Sequence, residues 1–178
     1  AYIDITKVGI FGHSGGGFMS TAALCTYPDF YTAAVSSSGN HDNNIYNNGW
    51  VEIHHGVREE KEMVKDSVNG DHEVSKFSVK VPTNMELAKN LKGHLLIVTG
   101  DMDKNVHPAQ TLRMVQALID AGKNFDMLVL PGQTHGYGRA DTFFERKLWY
   151  HFAKYLLGDT TADHYGNIME YNTIENNK

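Results

Sequence analysis

Short apolar segments separated by helix-like segments constrain the fold of this chain more than any other feature. Leu95 to Val98 is apolar at every position, which is typical of a strand buried on both faces of a sheet. Further β-prone segments lie at residues 8–11, 33–35 and 125–130, and helices are predicted at residues 18–25, 85–91, 108–121 and 141–157. Strands that alternate with helices predict an α/β fold in which helices cover both faces of a parallel sheet.

The alternation breaks down between Asn40 and about Pro82, where asparagine and glycine are frequent and turns are expected. Inside this stretch, the charged segment from Arg58 to Lys65 is compatible with a short surface helix, although a simply solvated segment is the interpretation we prefer. From Asp159 the chain is polar and rich in asparagine, and it gives no structural prediction.

Composition excludes several classes of function. The 178 residues suffice for one domain with a core, and the hydrophobic (41%) and charged (21%) fractions are those of an ordinary globular protein. A net charge of −5 without a run of lysine or arginine argues against a nucleic-acid partner. No run of about 18 apolar residues is present, so no membrane span is expected. The single cysteine, Cys25, cannot form a disulfide within the chain.

The first predicted strand runs directly into the motif G-x-S-x-G, with Ser14 at its centre, Gly12 and Gly16 at its ends, and a small-residue helix after it. Such a turn lifts the serine hydroxyl above the sheet edge, and the flanking glycines let neighbouring backbone pass without a Cβ clash. The amide of Gly15 would face a developing oxyanion at the helix N-terminus. A flexible glycine-rich turn is the alternative. The strand–turn–helix context favours Ser14 as a nucleophile.

Two later strands end in candidates for the acid and the base that such a serine needs. Asp101 and Asp103 follow the strand at residues 95–98, and His135 lies between a threonine and a glycine after the last predicted strand. The chain order of serine, aspartate and histidine is the one found in hydrolases with this motif. The residues alone leave both aspartates open, because an aspartate after a strand often caps a loop.

Other histidines are weaker candidates for the base. His107 lies next to Pro108 at a predicted helix start, too near Asp103 in sequence. His54 and His55 are adjacent in the turn-rich stretch, and neither an HExxH motif nor a cysteine–histidine cluster accompanies them. We therefore expect no metal, and a serine–histidine–aspartate mechanism requires no cofactor.

Three separated blocks of sequence match the pattern of one family. They lie at residues 12–17, 100–106 and 135–136 and read GHSGGG, GDMDKNV and HG. Together they resemble the α/β-hydrolase catalytic domain of the prolyl oligopeptidase family, nearest its dipeptidyl peptidase IV branch. The similarity runs from about Ile3 to Leu157. The family pattern G-x-x-D-x-N-V places the acid of the triad at Asp103.

The resemblance also implies a substrate pocket. Asn105 would bind the substrate carbonyl next to the scissile residue, and Val106 would line the pocket for the residue before the cleaved bond. Tyr46 and Trp50 fall where the family has two aromatic walls, which would form a flat slot for proline or another small side chain. Ordinary packing beneath the asparagine-rich loop explains these two rings equally well.

Two departures from the family pattern qualify this interpretation. Many members carry a bulky residue after the serine, where this chain has Gly15. The family's upstream strands, its second oxyanion donor and its β-propeller are absent from this chain. Residues 1–158 are therefore interpreted as a partial, C-terminal portion of the catalytic domain, and residues 159–178 as a polar tail. Loss of one oxyanion donor costs about 10²–10³ in rate, so the isolated chain could be inactive.

The function predicted is that of a serine peptidase acting on peptide substrates through an acyl-enzyme on Ser14. A carboxylesterase of the same fold and a non-catalytic fragment are the alternatives. Partners are expected to be a second copy of the chain, in a homodimer, or the N-terminal part of the parent protein, because an unpaired sheet edge favours pairing. The sequence does not fix the compartment, and the resemblance favours a periplasmic or secreted protein over a cytoplasmic one.

Overall fold

The computed structural model of this chain describes residues 2–78 and 81–161. These residues divide into two units, of which one holds the chain up to His41 and from Asn84 onward and the other is Asp42–Thr83. From residue 162 onward, the predicted polar tail lies outside the described residues.

The strands and helices follow one another in an order that matches most of the predicted elements. The strands are β1 (Val8–His13), β2 (Tyr31–Ser37), β3 (Arg58–Val64), β4 (His72–Ser78), β5 (His94–Gly100) and β6 (Asp126–Leu130). The α-helices are α1 (Gly15–Thr26), α2 (Asn48–His55), α3 (Asn84–Leu87), α4 (Ala109–Asp120) and α5 (Asp141–Phe152). Short 3₁₀ turns lie at Asn43–Ile45, Ala88–Asn90 and Gly138–Ala140, and Ala153–Leu157 extends α5 as a π-helical turn.

The first unit is built on a parallel sheet with strand order β1-β2-β5-β6. Ile10 of β1 is opposite Ala34 of β2, which in turn is opposite Leu95 of β5. The helices α1 and α4 carry the chain back between β1 and β2 and between β5 and β6, as parallel pairing requires. Because the strands are parallel, their carboxyl ends lie at one edge of the sheet.

Helices cover both faces of this sheet, which confirms the predicted fold class. Alternate residues of β5 point to opposite faces, and each set is buried in a different cluster. One cluster joins Leu95 and Ile97 to α1 and α4, through Leu24, Cys25, Ala34, Ala88, Leu91, Met114 and Leu118. The other joins Leu96 and Val98 to Val35, Leu130 and Tyr137, with Phe143, Phe144, Leu148 and Phe152 of α5 against it. The sheet is therefore the middle of three layers.

The unit Asp42–Thr83 overturns the helix that the charge pattern of Arg58 to Lys65 suggested. This segment contains strand β3, which pairs antiparallel with β4, and every residue of β3 is solvent-exposed, as the preferred interpretation required. This segment forms a strand because the turn after it folds β4 back against β3. The carboxylate of Asp66 accepts hydrogen bonds from the amides of Val68 and Asn69 (2.8 and 3.2 Å), and Gly70 has a φ of 83°.

No helix within residues 2–78 and 81–161 combines the length and the apolar character that crossing a membrane requires.

The two leucines of α4 allow a matched test of this core. Leu118 is fully buried between α4 and the sheet, whereas Leu112 on the same helix keeps 53% of its surface exposed. Leu118→Ala is expected to lower the free energy of unfolding by about 2–5 kcal/mol, because a buried cavity is left behind. Leu112→Ala should change it by less than about 0.5 kcal/mol. Urea unfolding followed by circular dichroism measures both, and equal losses would contradict the described packing.

Candidate active site

Ser14 occupies a sharp turn between β1 and α1. Its backbone has φ 59° and ψ −121°, a left-handed conformation that a residue with a side chain adopts only when its surroundings hold it. Two hydrogen bonds do so here. The amide of Ser14 donates to the carbonyl of Ser37 on β2 (2.8 Å), and the carbonyl of Ser14 accepts from the amide of Phe18 (3.0 Å). The strained serine is thus fixed between the sheet and the first turn of α1.

The prediction that the glycines flanking Ser14 avoid a Cβ clash is confirmed at Gly12 and is wrong at Gly16. A Cβ atom on Gly12 would lie 2.4 Å from the carbonyl oxygen of Gly16, and one on Gly17 would lie 2.6 Å from the carbonyl oxygen of Ser37. A Cβ atom on Gly16 would meet no atom within 4 Å. Gly12 and Gly17 are therefore the positions at which this turn has no room for a side chain.

Asp103 follows β5 and its side chain is fully buried. One carboxylate oxygen accepts hydrogen bonds from the amides of Asn105 (2.8 Å) and Val106 (2.9 Å), which closes a tight turn. The other oxygen lies 2.7 Å from Nδ1 of His135. Hydrogen bonds to both oxygens compensate a carboxylate removed from water, so this buried charge is tolerated.

The structure distinguishes between the two aspartates that the sequence left open. Asp101 is exposed, and its carboxylate accepts a hydrogen bond from the amide of Gly132 (2.6 Å), which ties the end of β5 to the turn after β6. Asp101 therefore has the loop-capping position, and Asp103 is the aspartate that meets His135. The rival histidine, His107, is exposed and accepts a hydrogen bond from the amide of Ala109 at the start of α4.

His135 lies in the loop after β6 with 24% of its side chain exposed. Because Nδ1 donates to Asp103, the neutral ring has its acceptor at Nε2, which is the atom a general base uses. The ring of His135 also contacts that of His13, with 4.5 Å between centroids. His13 directly precedes Ser14, so the structure brings His135 to the turn that carries the serine.

Tyr137 is a residue of this loop that the sequence analysis missed. It is 1% exposed and has a φ of 59°. Its hydroxyl accepts a hydrogen bond from Ser38 (3.0 Å) and donates to the carbonyl of Val98 (3.4 Å), and burial raises the pKa of the phenol. Tyr137 thereby anchors the loop of His135 to β5 and to the end of β2. The sequence signal that could have revealed this anchor is an aromatic residue two positions after the candidate base.

The residues expected to bind substrate fall in both units. Asn105 is exposed and Val106 is buried, and both belong to the turn closed by Asp103. Tyr46 and Trp50 lie in the unit Asp42–Thr83, where their rings meet edge to face with centroids 5.6 Å apart. Trp50 also stacks on His54 at 4.0 Å. The pocket role of these four residues stays a prediction.

Metal ligands and a cysteine thiol are the other groups that could supply a reaction in this part of the chain. Within residues 2–78 and 81–161, no group of three histidine, cysteine, aspartate or glutamate side chains is arranged to hold a metal ion. Cys25 is buried, and burial raises the pKa of its thiol to about 11, which leaves it protonated and a poor nucleophile.

The family model of the prolyl oligopeptidase family matches residues 1–160. The chain belongs to the prolyl oligopeptidase family. Dipeptidyl aminopeptidase A of Saccharomyces cerevisiae is 33% identical over 172 residues, 93% of this chain and 16% of that protein. Dipeptidyl peptidase 8 of Mus musculus is 28% identical over 134 residues, 75% of this chain and 14% of that protein.

A solved structure gives the same result at the level of the fold. Porphyromonas gingivalis dipeptidyl peptidase 4 has a TM-score of 0.66 and 27% identity, over 85% of this chain and 20% of that chain. These relatives are hydrolases, and their names describe them as peptidases. The chain spans 14–16% of the two curated relatives above.

Two neighbouring glycines test the turn around Ser14. Gly17→Ala places a methyl group 2.6 Å from the Ser37 carbonyl oxygen and should lower the free energy of unfolding by about 1–3 kcal/mol. Gly16→Ala enters open space early in α1 and should be neutral or stabilising by up to about 1 kcal/mol. Thermal unfolding of both variants distinguishes them. Equal stability of the two would mean that Gly17 does not pack against β2 as described.

Proposed function

We propose that this chain carries the nucleophile, acid and base of a serine peptidase that cleaves peptide bonds through an acyl-enzyme on Ser14. The observation that carries the proposal is the pairing of buried Asp103 with Nδ1 of His135 beside a serine held in a left-handed turn. Membership of a family whose relatives are named as peptidases supports the same chemistry. No metal or other cofactor is needed.

The first half of the proposed reaction forms the acyl-enzyme. Nε2 of His135 takes the hydroxyl proton of Ser14 while Oγ attacks the scissile carbonyl carbon. The amide of Gly15 donates to the developing oxyanion, since the first amides of a helix have no partner within it. The carboxylate of Asp103 stabilises the imidazolium and holds the ring. The imidazolium then returns its proton to the leaving amine as the peptide C–N bond breaks.

In the second half, water replaces the amine. His135 takes a proton from water, the resulting hydroxide attacks the acyl carbon, and the tetrahedral intermediate collapses to release the carboxylic acid. Oγ of Ser14 recovers its proton from the imidazolium. The cycle returns every group to its starting protonation state, so no co-reactant other than water is consumed.

The substrate class we propose is a peptide with proline or another small residue before the cleaved bond. Asn105 would bind the preceding carbonyl, and Val106 would form part of the pocket for the small residue. Tyr46 and Trp50, in the unit Asp42–Thr83, are proposed as further substrate-binding residues. The names of the relatives, dipeptidyl peptidases and a dipeptidyl aminopeptidase, support a peptide over an ester. We also propose that β1, an edge of the described sheet with Phe11 64% exposed, pairs with a second copy or with another part of the parent protein.

A fluorophosphonate probe tests the nucleophile directly, because it phosphonylates activated serines. In the full-length natural protein, labelling is expected at Ser14 and should be abolished in Ser14→Ala. Peptide mapping by mass spectrometry identifies the labelled residue. Labelling that persists in Ser14→Ala, or a wild type that resists the probe while correctly folded, would refute the proposed chemistry.

The two aspartates give a matched test of the acid. Asp103→Asn is expected to lower kcat by about 10⁴, because the amide no longer stabilises the imidazolium or its tautomer. Asp101→Asn keeps an oxygen for the Gly132 amide and should leave kcat within about threefold, well under 1 kcal/mol. Hydrolysis of an Xaa-Pro anilide and of a short acyl ester by the same preparations measures both effects. Turnover of the ester alone would favour the carboxylesterase instead.

A further inference from the structure

His13 lies in the site, and the mechanism above assigns it no role. It is the last residue of β1, and its ring lies 4.5 Å from that of His135 and 5.5 Å from that of Tyr137, centroid to centroid. The planes of the two histidine rings are tilted by 56°. His13 thus contacts the candidate base, His135, at the junction of β1 and the loop after β6.

Ser37 holds this ring in place. Its hydroxyl lies 2.6 Å from Nδ1 of His13, its cross-strand partner in the β1–β2 register. The backbone carbonyl of the same residue accepts the amide of Ser14. One buried residue of β2 therefore fixes both the backbone of the nucleophile and the imidazole that contacts the base.

The surroundings of His13 favour its uncharged form. Burial of part of the ring lowers the pKa of His13, and the neighbouring His135 lowers it further. Asp103 and Asp141 act in the opposite direction but are outweighed. Tyr137, the remaining titratable group against the ring, is itself kept neutral because burial raises its pKa. At neutral pH the ring that faces His135 is therefore a neutral aromatic one.

We propose that His13 is a positioning residue for His135, holding its ring toward Ser14 and stabilising the imidazolium that forms during catalysis. This rests on the proposed function of Ser14, Asp103 and His135. A neutral aromatic ring within about 6 Å attracts a cation, whereas a second cation at that distance repels it. Asp103 fixes one edge of the His135 ring, and contact with His13 limits rotation about that hydrogen bond.

The kinetic test uses the full-length protein and three substitutions of His13. His13→Ala should lower kcat by about tenfold with KM little changed, since the contact matters most when His135 is charged. His13→Phe keeps a neutral ring and should recover most of the loss. His13→Lys puts a permanent charge beside the imidazolium and should be slower than alanine. Equal rates for wild type and His13→Ala, or no recovery in His13→Phe, would overturn the proposal.

The pH profile adds a measurement that a merely structural role would not change. In the wild type, protonation of His13 at acidic pH should add a second proton to the acidic limb of kcat/KM. That limb should become shallower in His13→Phe, whose ring does not titrate. An unchanged slope would mean that the charge of His13 is not felt at the base. Circular dichroism melting of each variant verifies that the fold is retained.

A nuclear magnetic resonance titration separates this proposal from the proposed function, because it needs no activity. The pKa of His13, followed through its ring protons in the full-length protein, should rise in His135→Gln, because the charge of His135 no longer lowers it. His107→Gln is the control and should leave it unchanged. If the wild-type enzyme is inert but this rise is seen, only the catalytic proposal fails. If the enzyme is active but the rise is absent, the proposal for His13 fails.

Discussion

Parallel pairing of β1, β2, β5 and β6 is the constraint on which the rest of this structure depends. A parallel sheet ends every strand at the same edge, so the segments after β1, β5 and β6 meet there although they are far apart in sequence. The chain uses each of these segments for a different group: the strained serine, the buried aspartate and the partly exposed histidine. Cores on both faces keep the strands in register and thereby keep the three groups together.

Residues of β2 contribute to the site without supplying any of its reactive groups. Ser37 is the last residue of this strand and Ser38 follows it directly, between the serine turn and the loop of His135. The first bonds the backbone of Ser14 and the side chain of His13, and the second bonds Tyr137. Both serines are buried, so these hydrogen bonds form away from competing water, where a missing partner would be costly. The end of β2, one of the two inner strands, thus holds the serine turn and the loop of His135 against the sheet.

The sequence was most informative where local pattern and tertiary environment agree. Leu95 to Val98 is apolar throughout because both faces of β5 are covered, and the motif around Ser14 is a local backbone requirement. Both features can therefore be predicted from the sequence alone. The hairpin of β3 and β4 was missed because all of β3 is exposed, which leaves no alternation of apolar and polar residues to reveal a strand. The contacts of His13 with His135 and Tyr137, and that of Tyr137 with Ser38, join residues 99 or more positions apart, and no local pattern reports them.

Asp103 has a structural task that the serine and the histidine do not share. Its carboxylate closes the turn that presents Asn105 and Val106, so a residue without a side-chain oxygen here would disturb the loop as well as the proposed reaction. Within residues 2–78 and 81–161, neither the side-chain oxygen of Ser14 nor Nε2 of His135 holds another part of the chain. Replacement of Ser14 would therefore leave these contacts intact, whereas replacement of His135 would take one hydrogen bond from a buried carboxylate. Asp103 can be retained for its loop alone, so its presence in a related sequence does not by itself indicate activity.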